Sequence, residues 1–202
     1  MVNAFTATNS WKMESDQWQK KYRHQPQRLH RWLRRQGNLA LGHKMGFTRV
    51  MIDMGNSTNL AADDAATAIA KFANVTGLAA DQSMSAEEKY SKMGSTIVDL
   101  GNNYATTEAD IMNMATNLAS AGTQVGMSES DILALATALS SVGMEAQAGG
   151  TAFSKAMVQM QIDVETNSEG LKDWANVAGM SVDEFSTLFR EDATGALEAF
   201  IT

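Results

Sequence analysis

The chain has 202 residues, carries 16 Lys and Arg against 23 Asp and Glu for a net charge of −7, and contains no cysteine. That length suffices for one or two domains with a real core, on a prior of roughly 100–200 residues per domain. The missing thiols exclude disulfide staples, a thiolate nucleophile and cysteine-ligated zinc, and no stretch approaches the ~20 consecutive apolar residues of a membrane-spanning helix.

Charge divides the chain near Lys44. Residues 1–45 hold nine Lys and Arg against Glu14 and Asp16, whereas residues 46–202 hold seven against twenty-one acids. The first segment also contains His24, His30 and His43, the single proline, Pro26, and Trp11, Trp18 and Trp32. No apolar core follows the early charges of residues 1–25, so no secretory signal is visible. Three readings of residues 1–44 stand side by side. Within residues 20–35, Lys20-Lys21-Tyr22-Arg23-His24 and Arg28 to Arg35 combine cations for phosphates with rings for stacking, the make-up of a nucleic-acid-binding arm. Leu29, Trp32 and Leu33 equally form the apolar stripe of a surface-seeking basic helix. The abrupt change in residue usage is also what a misplaced start or a disrupted reading frame produces. On each reading residues 1–44 are expected to stand outside the main fold, which begins at Met45.

From there the pattern is helical throughout. Ala61, Ala62, Ala65, Ala66, Ala68 and Ala70 mark a helix from about residue 59, with high propensity and small side chains that allow close packing. Ser85, Thr107, Ser128 and Ser181 are each followed three residues later by an acid (Glu88, Asp110, Asp131, Glu184), the arrangement of an N-cap with a first-turn carboxylate. Behind the caps, apolar positions recur at helical spacing: Ile111, Met114, Ala115 and Leu118; Ile132, Leu135, Ala136 and Leu139; Phe185, Leu188 and Phe189. A further helix is expected from about residue 151, with Phe153, Ala156, Met157 and Met160 on one stripe. Gly77, Gly101, Gly122, Gly126, Gly143, Gly170 and Gly179 stand where a left-handed residue would close a helix. The spacing predicts an all-α fold of about seven short amphipathic helices in series, packed as an irregular bundle or array. Gly126-Met127-Ser128 and Gly179-Met180-Ser181 lead into their helices at identical spacing; an old repeat or ordinary capping grammar would both produce this.

The search for chemistry returns no catalytic, cofactor-binding or metal-ligating set. All imidazoles lie in residues 1–45, so the main region has no histidine base, and no nucleophile elbow, phosphate-binding loop or His-Glu-x-x-His motif occurs. The paired acids Asp63-Asp64, Glu87-Glu88 and Asp183-Glu184 are adjacent in sequence and suit helix starts better than a two-carboxylate site. Asp99 to Tyr104, with two asparagines, offers oxygen ligands but lacks the spacing of a calcium loop and reads as a turn. Met112, Met114, Met157 and Met160 read as core filler.

The stretch from Asp110 to Met157, with its Met112-Asn-Met-Ala-Thr-Asn-Leu118 helix, Val125-Gly-Met-Ser-Glu turn, Leu133-Ala-Leu-Ala-Thr-Ala-Leu139 helix and Gly149-Gly-Thr-Ala-Phe153, resembles the conserved region of phage tail tape-measure proteins. The resemblance covers about residues 46–202. It implies a non-enzymatic virion component, possessing no cofactor, that templates tail-tube assembly in the host bacterial cytoplasm, sets tail length, resides in the virion tail and is expelled at infection. Tail-tube subunits and tail assembly chaperones are the implied partners, with self-association beside them. Tape-measure proteins of this type are long, and this chain lacks their long heptad rod, so it resembles a fragment, of the kind a prophage remnant would encode. The alternatives from other classes are a nucleic-acid-binding protein acting through residues 20–35 and a helical scaffold on a bacterial surface.

Overall fold

The computed structural model describes residues 41–80 and 83–201; residues 1–40, including the basic stretch 20–35, lie outside it. Among the described residues the fold is all-α, with nine helices and no strand: α1 (Leu41–Ser57), α2 (Ala62–Val75), α3 (Ala86–Asn103), α4 (Glu108–Gln124), α5 (Glu129–Ser141), α6 (Ala146–Thr166), α7 (Gly170–Val177), α8 (Val182–Glu191) and α9 (Ala193–Ile201). The first helix runs through residue 44, where composition changes. Two more helices are present than the expected seven, and α6 starts five residues earlier than expected because Glu145 caps it, its carboxylate accepting from the amides of Gln147 and Ala148 at 3.0 and 2.7 Å.

The helix starts follow from local hydrogen bonding. Ser85, Ser128 and Ser181 each form a reciprocal capping box with the acid three residues on, and Thr107 accepts from the amide of Asp110 at 3.2 Å. Those bonds satisfy amides that the first helical turn leaves without partners. The Ser85 and Ser181 hydroxyls, and then their backbone amides, hold the Glu88 and Glu184 carboxyls below their ordinary pKa. The paired acids Asp63-Asp64, Glu87-Glu88 and Asp183-Glu184 all sit in first turns.

Helix ends follow a second local rule. Gly126, Gly143 and Gly179 have φ of 88°, 77° and 68°. In each case the glycine amide and that of the following methionine reach back to carbonyls three and five residues earlier, as in Met127 N to Gly122 O at 2.9 Å, Met144 N to Leu139 O at 3.1 Å and Met180 N to Ala175 O at 2.9 Å. A left-handed residue without Cβ closes the helix and the methionine folds back over it. Gly143-Met144-Glu145 is thus a third copy of the turn, with glutamate in place of the serine cap. Gly77 (φ 83°) also adopts the left-handed region.

Three of the expected closing glycines do other work. Gly101 lies inside α3, Gly122 inside α4, and Gly170 opens α7. At Gly101 a Cβ would come within 2.6 Å of Glu108, and at Gly122 within 2.8 Å of Ile132, so these glycines mark close packing. The expected turn at Asp99–Tyr104 is likewise mostly helix: Asn103 closes the last turn of α3, its amide donating to the Asp99 carbonyl at 2.8 Å and carboxylate at 2.9 Å.

Helix α4 is the hub, packing against α2, α3, α5 and α6, while α1 packs on α2 and α3. Its Ile111, Met112, Met114, Ala115, Leu118 and Ala119 are fully buried, facing neighbours on several sides, and Met157 and Met160 of α6 join them. These methionines fill the core, where an unbranched thioether adapts to irregular gaps. In α5 the buried face is Ile132, Leu133, Ala136 and Leu139, with Leu135 half-buried at its margin. Further out, Phe47 and Tyr90 meet edge to face at 4.7 Å between α1 and α3. Helices α7, α8 and α9 pack chiefly on one another and on α6.

Candidate interaction surface on helices α4 and α6

The most extensive helix contact among the described residues is between α4 and α6. Two glycines at the start of α6 make it possible. A Cβ on Gly150 would sit 2.5 Å from Asn117 Cβ, an atom tied rigidly to the α4 backbone, so only glycine permits this approach. At Gly149 the space is filled instead by the flexible Met144 side chain. Once the backbones are this near, Ser154 donates to the Asn117 carbonyl at 3.0 Å and Gln124 to Gln161 at 2.8 Å across the joint.

Beside the joint lies an open groove of about 790 Å³. Asn117, Ser120 and Gln124 of α4 form one wall, Ser154, Lys155 and Gln159 of α6 the other, and Trp174 of α7 stands at the margin. Lys155 is the one charged residue of the lining, and Ala121, Ala156, Val158 and Trp174 make most of the exposed surface apolar between the amide and hydroxyl groups. Such a surface suits packing of another backbone or helix. Of the three hydroxyls in the lining, those of Ser120, Thr151 and Ser154, the last donates to the Asn117 carbonyl across the joint.

Two residues of the lining, Gln159 and Trp174, both donate to Asp163, a buried acid of α6. Asp163 is 5 % exposed, and its carboxylate accepts from the Ser168 hydroxyl at 2.5 Å, the Gln159 amide at 3.0 Å and the Trp174 indole N–H at 2.7 Å. The Ser168 bond above all, with those from Trp174 and Gln159, outweighs burial and holds the carboxyl below its ordinary pKa. Trp174 in turn meets Phe200 of α9 edge to face at 5.3 Å. Nothing in the sequence pattern singled out Asp163: Gln159 lies one turn back on the same helix, but Ser168 and Trp174 reach the carboxylate only because the chain turns back at Asn167 after α6 ends. Among the described residues no group of three or more His, Asp or Glu side chains is placed to hold a metal ion, and no helix is long and apolar enough to cross a membrane.

The stretch that carries the sequence resemblance, Asp110 to Met157, is therefore the hub helix, the helix after it and the glycine joint that opens α6. Compared with known protein families, the chain matches phage-related minor tail proteins over residues 33–202. It belongs to that family. No significant match was found among curated proteins, and none among solved structures. The family match starts at Leu33, before the resemblance noted from about residue 46, and takes in Arg34, Arg35 and Lys44 of the basic segment. Membership makes the chain a phage tail protein, with tail-associated partners and a place in the virion tail.

Proposed function

We propose that this minor tail protein is a non-enzymatic tape-measure component, which engages tail-tube subunits and tail assembly chaperones in the host cytoplasm and enters the virion tail. The family match through α1–α9 carries the reading, and the likeness of Asp110 to Met157 to tape-measure proteins sharpens it. The longest described helix, Ala146–Thr166, has 21 residues and spans only ~30 Å at ~1.5 Å per residue. In this reading the packed region does not itself measure length. It supplies the contacts from which tube subunits and chaperones are organised, with the neutral groove between α4 and α6 as the favoured face.

The test is genetic and structural. In the parent phage, an in-frame deletion within residues 107–157 is expected to abolish tails or change their length, read by electron microscopy of lysates. Tails of unchanged length and number would remove the assignment. A Lys155→Glu, Ser120→Glu double substitution, which leaves the buried face of both helices intact, is expected to weaken binding to tube subunits or chaperones in co-purification.

A further inference from the structure

We propose that residues 167–201 form a lobe that opens from the body as a unit, pivoting at Asn167 and latched shut by the Asp163 carboxylate. The inference is independent of the tape-measure reading. It rests on how the two parts are joined. Within the lobe, α7, α8 and α9 pack on one another more extensively than on the body, and their principal contact outside the lobe is with α6. The pivot is conformationally marked: Asn167, at φ 49° and ψ 46°, is the one non-glycine residue with positive φ among the described residues.

The joint combines apolar contact, in which Leu171 and Phe185 continue the core beside Val164, with a buried polar cluster. Asp163 Oδ1 takes Ser168 and Gln159, Oδ2 takes the Trp174 indole, and Gly170 lies so near that a Cβ there would stand 2.8 Å from Oδ2. On the other side Arg190 of α8 donates from Nη2 to the Val164 carbonyl at 2.9 Å. Hydrogen bonds of this kind are directional, so they hold one geometry and are lost together once it is disturbed, whereas apolar contact weakens gradually. Water can replace every one of them, which lowers the cost of opening relative to the apolar hub at α4. Opening withdraws Trp174 from the margin of the α4–α6 groove and bares the buried end of α6 at Val164, so the lobe controls access to that face.

Hydrogen–deuterium exchange of the full chain, read by mass spectrometry, decides the matter. In the unaltered protein, amides of α7–α9 are expected to exchange through a lower-energy opening than those of α4. Asp163→Asn keeps the shape but presents three donors to one oxygen, and Trp174→Phe removes one donor. Each is expected to speed exchange in α7–α9 by about tenfold or more, the equivalent of losing one hydrogen bond to a charged group, with α4 unchanged. Arg190→Met, which touches neither Asp163 nor the groove, carries the same comparison if either variant fails to fold. Conversely, Ser128→Ala weakens the body and is expected to leave lobe exchange as it was. Parallel acceleration of α4 and α7–α9, or no acceleration in the folded variants, would overturn the proposal.

Discussion

The α4–α6 joint and the α6–α7 joint share one helix and are built in opposite ways. At the first, glycine and short side chains bring two backbones together, with Gly150 against Asn117 and a fully buried Met114, Leu118, Met157 and Met160 behind them. At the second, a carboxylate is buried and given three side-chain donors. Close apolar packing tolerates little change of volume but needs no particular angle. A buried charge tolerates changes of volume better than the loss of any partner, because an unpaired donor or acceptor bears its full desolvation cost. The hub is thus stabilised by what is absent from its surface, the side chains of glycines, and the lobe by what is present.

Four perturbations sharpen that contrast. The largest expected effect is Leu118→Asp, which places an unpaired carboxylate at the centre of the hub; a loss of more than about 4 kcal/mol, enough to unfold the chain, follows from the cost of burying a charge. Circular dichroism and urea titration read it directly, and a folded variant of near-normal stability would mean that α4 is not the core. Asp163→Ala comes next, at about 2–4 kcal/mol, since three donors lose one charged acceptor. Its signature is local: near-UV dichroism of Trp174 and exchange in α7–α9 should respond before α4 does.

Gly150→Ala is expected to cost about 1–3 kcal/mol by forcing α4 and α6 apart, even though alanine has the higher helix propensity by roughly 1 kcal/mol. Gly149→Ala meets only the movable Met144 side chain and should cost less. Equal losses at the two positions would show that the joint is looser than its geometry. The smallest effects belong to the caps: Ser128→Ala and Ser181→Ala should each cost about 1 kcal/mol, the first felt in the body and the second in the lobe.

Acid provides a further separation of the two joints. Asp163 has its folded-state pKa depressed below the ordinary 3.8, by Ser168 first and then by Trp174 and Gln159. Its contribution is therefore present above the unfolded value and is lost as pH falls from near 4 through the depressed folded value. Stability measured from pH 5 downward should fall less steeply in Asp163→Asn than in the unaltered chain. At the other joint Glu145, which caps α6, is also held below its ordinary pKa by the amides of Gln147 and Ala148, but its carboxylate is exposed while that of Asp163 is buried, so lobe opening should precede exchange in α4.

Much of this fold was legible in residue order because its rules are local. A serine cap and its acid are three residues apart, and a left-handed glycine bonds across five, so Ser85, Thr107, Ser128 and Ser181, and Gly126, Gly143 and Gly179, could be read directly as starts and stops. The all-helical class and the burial of Met112, Met114, Met157 and Met160 follow from the same short-range periodicity. Tertiary structure decided the rest. Gly101, Gly122 and Gly150 look like any other glycine in sequence, and only the arrival of Glu108, Ile132 and Asn117 distinguishes them as close contacts. Leu133 and Leu135 offer a helix two nearly equivalent apolar faces, and the position of α4 buries the first while leaving the second half exposed. Asp163 reads as one more exposed acid on a helix until Trp174 turns back towards it. Hydrogen bonds within one turn depend on neighbours the chain cannot move away; packing and burial depend on partners that only the folded chain brings near.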